Sequence, residues 1–211
     1  MSDTRIPFSD GTLAATLHVP SGARGTVVFV HGSGVDRRDR RERHVARRLA
    51  RAGFATVQPD LLAPWQALER HDAFSLELQC VRLLETLDWV GAQAWGRGRP
   101  LGLYGCGIGA AVVLLAAAKR PRAVQAVVCR DGRPDAALSW LPQVEAATLL
   151  IIDEADRAYV LAYERLGGPK ELVAVPSDSH RFEEPPALEA VARHAAQWFS
   201  RHLEEGRVRA A

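Results

Sequence analysis

Four short segments of this chain carry groups that could do chemistry together. The first is His31-Gly32-Ser33-Gly34. A loop of such small residues can aim a backbone N–H at a developing oxyanion. The second is Gly105-Cys106-Gly107-Ile108-Gly109, which runs directly into the small apolar stretch AAVVLLAAA. This is the glycine frame of a sharp strand-to-helix turn that presents a nucleophile at the middle of G-x-S-x-G. Here the middle residue, Gly107, has no side chain. The third segment, Asp153-Glu154-Ala155-Asp156, offers carboxylates. The fourth, Asp178-Ser179-His180, offers an imidazole and leads into Arg181-Phe182-Glu183-Glu184-Pro185. A nucleophile turn, an acid and a histidine in this order suit acyl transfer, where imidazole moves the proton and a carboxylate orients the imidazole.

Each position has competitors. His180 stands in a loop after a late strand with acidic partners upstream, which fits a general base. Asp156 competes with Asp153, Glu154 and Asp178, and its spacing from the preceding strand favours it. His31 is expected to brace its loop. Cys106 is one position from the centre of the turn and is itself a possible nucleophile. For Cys106 to be central, Tyr104 and Ile108 would have to flank it. The turn packs helix closely on strand, so Gly105 and Gly109 suit the flanks and Tyr104 and Ile108 do not. The expectation is a packed thiol, and the alternative is a thiol presented to His180. Glycine at 107 takes the strained dihedrals of such a turn freely, so losing a side chain there leaves the fold intact.

These segments need strands that end beside one another. Residues 13–19 read as a strand after the turn Asp10-Gly11, and 26–30 (TVVFV) as a buried strand of a parallel sheet. Residues 40–52 read as a helix closed by Gly53. Strands follow at 54–58, 100–104, 123–129, 147–152 and 171–175, and helices at 73–94, 108–119, 156–166 and 186–203. In the last helix Leu188, Val191, Ala195, Trp198 and Phe199 share one face. This βαβ alternation predicts an α/β fold with a doubly wound, mostly parallel sheet covered by helices on both faces. Ligands of such sheets bind outside the carboxyl ends of the strands, which directs attention to the loops after 30, 105, 152 and 175. Residues 61–72 and 132–144 are long enough to overhang a site, and neither is a cap domain; Trp65, Phe74 and Trp140 are candidate pocket walls or core residues.

Composition narrows the classes. The 211 residues, 47 % hydrophobic and 25 % charged, suit one domain over 1–211. The N-terminus has no apolar signal region, and no run approaches a membrane span. A net charge of +2 does not indicate a nucleic-acid partner. The arginine run Arg37, Arg38, Arg40, Arg41, Arg43, Arg47, Arg48 and Arg51, interleaved with Asp36, Asp39 and Glu42, reads as a solvated helix face with internal ion pairs or as an anion-attracting rim. Cys80, Cys106 and Cys129 form neither a disulfide framework nor a zinc pattern, which points to a cytoplasmic protein with reduced thiols. No motif indicates a metal, nucleotide or flavin cofactor, and the oligomeric state is not legible.

In order and content, these segments resemble the dienelactone-hydrolase-like family of the α/β-hydrolase superfamily. The telling stretches are H-G-S-G, the R-x-G-R-P-D segment (Arg130, Gly132, Arg133, Pro134, Asp135) and S-H-R-F-E-E-P. The resemblance covers nearly the whole chain and implies an α/β-hydrolase fold without a cap domain, acting on a small ester or lactone-like substrate. It carries the acid onto Asp156, the general base onto His180, and the oxyanion donors onto the backbone N–H groups of Ser33 and Ile108. It puts the nucleophile at Gly107, where this sequence departs from the family. Three readings follow: a nucleophile-deficient hydrolase, a non-catalytic ligand-binding or interaction module on the same scaffold, and a Cys106-dependent hydrolase.

Overall fold

A computed structural model describes residues 1–32, 37–69, 75–153, 157–179 and 181–203. Their frame is one eight-stranded sheet in the order β1-β2-β4-β3-β5-β6-β7-β8. The strands are β1 Ser2–Phe8, β2 Gly11–His18, β3 Thr26–Val30, β4 Ala55–Pro59, β5 Leu101–Gly107, β6 Val124–Gly132, β7 Ala147–Ile152 and β8 Lys170–Ala174. β1 pairs antiparallel with β2, and β2 antiparallel with β4. Every pairing from β4 to β8 is parallel. The helices are α1 Arg40–Arg51, α2 Pro64–Leu68, α3 Leu76–Ala92, α4 Gly109–Lys119, α5 Arg157–Arg165 and α6 Pro185–His202, with 3₁₀ turns at Pro134–Ala137 and Leu141–Gln143.

The sheet is buried on both faces because its central strands are continuous apolar runs. Val27, Phe29, Tyr104, Ala126 and Val128 face α1 and α6. Val28, Val30, Leu103, Val127 and Cys129 face the layer of α3, α4 and α5. All residues of α4 from Gly109 to Ala118 are buried, which is why its sequence has no polar stripe. On α6 the expected face, Leu188, Val191, Ala195, Trp198 and Phe199, is buried, and Trp198 Nε1 donates to the Ala147 carbonyl at 3.1 Å. Among the described residues no set of elements forms a cap over the carboxyl edge.

The expected elements are present, with boundaries shifted by a few residues. The largest shifts are three residues each: β5 and β6 are longer at their carboxyl ends, to Gly107 and Gly132, and α3 begins at Leu76. β1 was not anticipated, since in SDTRIPF only Ile6 is buried. Trp65 and Trp140 are exposed, with Lys119 Nζ 4.6 Å from the Trp140 ring, and Phe74 lies outside the described residues. The arginine run divides by helical phase: Arg40, Arg43, Arg47 and Arg51 are exposed, while Arg41 is buried beside Glu42.

Candidate active site

The chain leaves β3 toward β4 on one side and returns past it to β5 on the other. The crevice of a doubly wound sheet opens at such a reversal, and here it lies between the carboxyl ends of β3 and β5. Gly32 follows β3, and Gly107 ends β5.

The turn at Gly107 is built by exclusion. A side chain at Gly105 would meet the Gly109 carbonyl oxygen at 2.5 Å and Val113 Cγ2 at 2.7 Å. One at Gly109 would collide with the Val30 carbonyl, and one at Gly132 with the Gly107 carbonyl. Gly107 itself has φ +59°, a left-handed conformation that glycine adopts without strain. A Cβ there would stand 3.0 Å from Gly32 Cα. Ile108 holds the N-cap position of α4, where the helix leaves the first amides without internal partners.

Cys106, one residue before Gly107, is 3 % exposed. Its side chain lies on the α1 side of the sheet, where burial, reinforced by Glu42 and opposed by Arg130, pushes the thiol pKa up to about 12. A thiol so placed is far from the lowered pKa of reactive cysteines. Tyr104 is fully buried against Phe29, with ring centroids 4.8 Å apart.

Beneath the turn lies a buried ion pair that the sequence did not reveal. Arg130 Nη2 donates to Glu42 Oε1 at 2.8 Å, with side-chain exposures of 2 % and 0 %. Burial works against the guanidinium charge, but Tyr104, Glu42 and Cys106 around it together outweigh that cost and hold Arg130 well above its ordinary pKa. The other Glu42 oxygen is 3.9 Å from His31 Nδ1. Helical phase was an available signal, because Glu42 shares the buried face of α1 with Val45, Ala46 and Leu49.

A second anchor joins α1 to the segment after β8. Arg41 Nη1 donates to the Arg181 carbonyl at 3.3 Å and lies 3.7 Å from Glu183 Oε1, while its other nitrogens meet the N-cap carboxylate of Asp39. Phe182 is fully buried at φ +52°, an unusual conformation for a bulky side chain. These contacts tie down the residues on the C-terminal side of position 180.

Of the expected site residues, the structure brings Gly107, Ile108 and Cys106 to the carboxyl edge of β5. Ser33, Asp156 and His180 lie outside the described residues. Asp153 follows β7 directly. Asp131, which the sequence does not single out, lies at the carboxyl end of β6, across β5 from that crevice, half-buried and at φ +52°. Burial, with the charge of Asp153, raises its pKa against the opposing effects of Arg130, the Gly132 N–H and Arg41. The Asp-Gly dipeptide was the available hint, as a marker of turns and bulges. Among the described residues no group of three or more His, Cys, Asp or Glu could hold a metal ion, and no helix is long and apolar enough to cross a membrane.

The sequence matches the dienelactone hydrolase family over residues 13–164. It is 41 % identical to a dienelactone hydrolase from Anabaena variabilis, whose crystal structure superimposes with a TM-score of 0.91 over 96 % of this chain and 98 % of that one. Est1E from Butyrivibrio proteoclasticus shares the fold at 16 % identity and a TM-score of 0.79, over 95 % of this chain and 98 % of that one. Proteins of two Mycobacterium tuberculosis strains that carry the name "Putative phosphoribosyl transferase" are 42 % identical over 195 residues, or 90 % of this chain. The chain spans 44 % of the length of those curated relatives.

Proposed function

The chain belongs to the dienelactone hydrolase family of the α/β-hydrolase superfamily, and from that premise we propose that it is an ester or lactone hydrolase scaffold whose nucleophile position is held by Gly107, so that hydrolysis is weak or absent. One observation carries this reading. Gly107 sits at the tip of the strand-to-helix turn at φ +59°, with no side chain to attack a carbonyl.

In this reading Asp156 orients His180, and His180 activates water directly. The backbone N–H groups of Ser33 and Ile108 stabilise the oxyanion. A site reduced to its oxyanion donors and binding contacts retains about 10³–10⁴-fold catalysis over water. The substrate is a small ester or lactone, consistent with a crevice over which no described element forms a cap, and three buried thiols fit a reducing cytoplasm. The transferase name belongs to relatives of which this chain matches less than half, and the hydrolase reading concerns the shared part.

The burial of Cys106 and its raised pKa argue against a Cys106-dependent enzyme. A non-catalytic binding module rests on the same Gly107, and it differs in predicting ligand binding unchanged by His180→Ala.

The test is hydrolysis of p-nitrophenyl acetate by the natural chain beside Gly107→Ser. Fast turnover in the variant alone is expected. Equal turnover in both overturns the reading, because the chemistry then runs through another residue.

A further inference from the structure

We propose that Asp131 is a catalytic carboxylate at this crevice, the general base for a water molecule that attacks an acyl carbon bound above Gly107. The proposal rests on the hydrolase reading of the site, with Asp131 in place of His180 as the base that acts on the water.

Its ground is the way β6 ends. Along the β5–β6 ladder Cys106 pairs with Arg130, but Gly107 pairs with Gly132. Asp131 is therefore the extra residue of a β-bulge and has no partner across the ladder. Bulges of this kind re-aim a side chain at the end of a strand. The bulge is locked to the turn: Gly132, at φ +118°, packs on the Gly107 backbone, and the Arg133 N–H donates to the Gly107 carbonyl at 3.2 Å. Asp131 is thus fixed beside the residue where the nucleophile would stand, at the carboxyl edge, and is half-buried. The left-handed backbone does not itself call for a carboxylate, since glycine would hold it with less strain. A strained residue beside a crevice is a pointer to function.

The surroundings suit a base. Arg130 of β6, Arg41 of α1, Asp153 after β7 and Tyr159 of α5 all act electrostatically on or with Asp131. The Tyr159 hydroxyl is buried and has no hydrogen-bond partner among the described residues. Burial and Asp153 together make Asp131 a stronger base than an ordinary aspartate, and basicity nearer neutral pH favours proton abstraction. In the reaction, an Asp131 oxygen takes a proton from water as the water oxygen bonds to the acyl carbon. The carbonyl electron pair moves onto oxygen. On collapse that pair returns, the carbon–alkoxy bond breaks, and the leaving alkoxide takes the proton back from Asp131. Acid and alcohol leave, and the carboxylate is regenerated.

The experiment measures slow p-nitrophenyl acetate hydrolysis by the natural chain, Asp131→Asn, Asp131→Gly and the remote surface control Asp88→Asn, each from pH 4 to 8. The natural chain should hydrolyse the ester above buffer, with a rate that climbs through a carboxylate titration above the ordinary aspartate value of 3.8 and then levels. Both Asp131 variants should lose about a hundredfold and that pH dependence, while Asp88→Asn keeps both. Asparagine and glycine each tolerate the left-handed backbone, so a fold is available to the variants, and equal melting temperatures confirm it. A natural chain no faster than buffer, or an Asp131 variant with unchanged rate and profile, overturns the proposal. Gly107→Ser, run in parallel, separates the two readings. If it gains fast hydrolysis while Asp131→Asn changes nothing, only the Asp131 assignment falls. If it gains nothing, the hydrolase reading itself falls.

Discussion

Arg130 Nη2 and Glu42 Oε1 meet at 2.8 Å in a place that solvent does not reach, joining β6 to α1 directly beneath the turn at Gly107. Such a pair costs desolvation on both sides, and removing one partner leaves the other charge uncompensated. Glu42→Gln and Arg130→Met should therefore each cost about 3–5 kcal/mol. The double variant Glu42→Met/Arg130→Met should recover much of that loss. Urea unfolding of the four proteins checks this; single variants as stable as the natural chain would show that the pair contributes nothing.

The glycines of the turn should rank by what surrounds them. Gly105→Ala and Gly109→Ala drive a methyl group into backbone that cannot yield, and neither variant should accumulate as folded protein. Gly107→Ala places its Cβ 3.0 Å from Gly32 Cα at φ +59°. It should fold, with a loss of about 1–3 kcal/mol from the strained dihedrals. Soluble expression and thermal melting distinguish the classes, and a folded Gly109→Ala would contradict the close packing on Val30.

Thiol chemistry should be silent in the native protein. Cys80 and Cys106 are buried, with pKa values pushed up to about 11 and about 12, and burial raises Cys129 further still. Iodoacetamide at pH 7.5 should label none of the three over minutes, and all three once guanidinium unfolds the chain. Rapid modification of native Cys106, seen by peptide mass, would revive it as a nucleophile.

Acid should destabilise the fold in two stages. Burial lowers the pKa values of His18 and His194 below 6.5, so the fold favours their neutral forms. The stability they contribute is lost as pH falls from about 6.5 through their lower folded values. Asp10 and Asp135 are held below 3.8, chiefly by hydrogen bonds from Arg82 and Arg133. Asp39 also ends lower, because Arg41 outweighs its burial. Their contributions persist above 3.8 and vanish below it. Asp131 runs the other way: its raised pKa favours the protonated form in the fold, so its contribution declines as pH rises above 3.8. Melting temperatures from pH 3 to 8 should show an upper decline that shrinks in a His18→Gln/His194→Gln variant.

Much of this architecture was legible because its signals are local. The run TVVFV can only be a strand buried on both faces, and the 105/107/109 glycines announce a turn too tight for side chains. What stayed hidden depends on distance or on phase. Glu42 and Arg130 are 88 residues apart, and Glu42 sits in a run whose exposed arginines mask its inward position. β1 escaped notice because an edge strand half in solvent needs little apolar sequence. Asp131 escaped because a bulge is a property of two strands in register, and neither strand's sequence contains it.

The Gly107 turn also determines how this protein meets reagents designed to find its relatives. Fluorophosphonates and β-lactone probes report a serine or cysteine hydrolase by forming a bond to its side-chain oxygen or sulfur. At position 107 there is only backbone. On the proposed reading, a survey of a cell by covalent capture would pass over this chain even when it is abundant and folded, whereas reversible carbonyl ligands that lean on backbone amides would not.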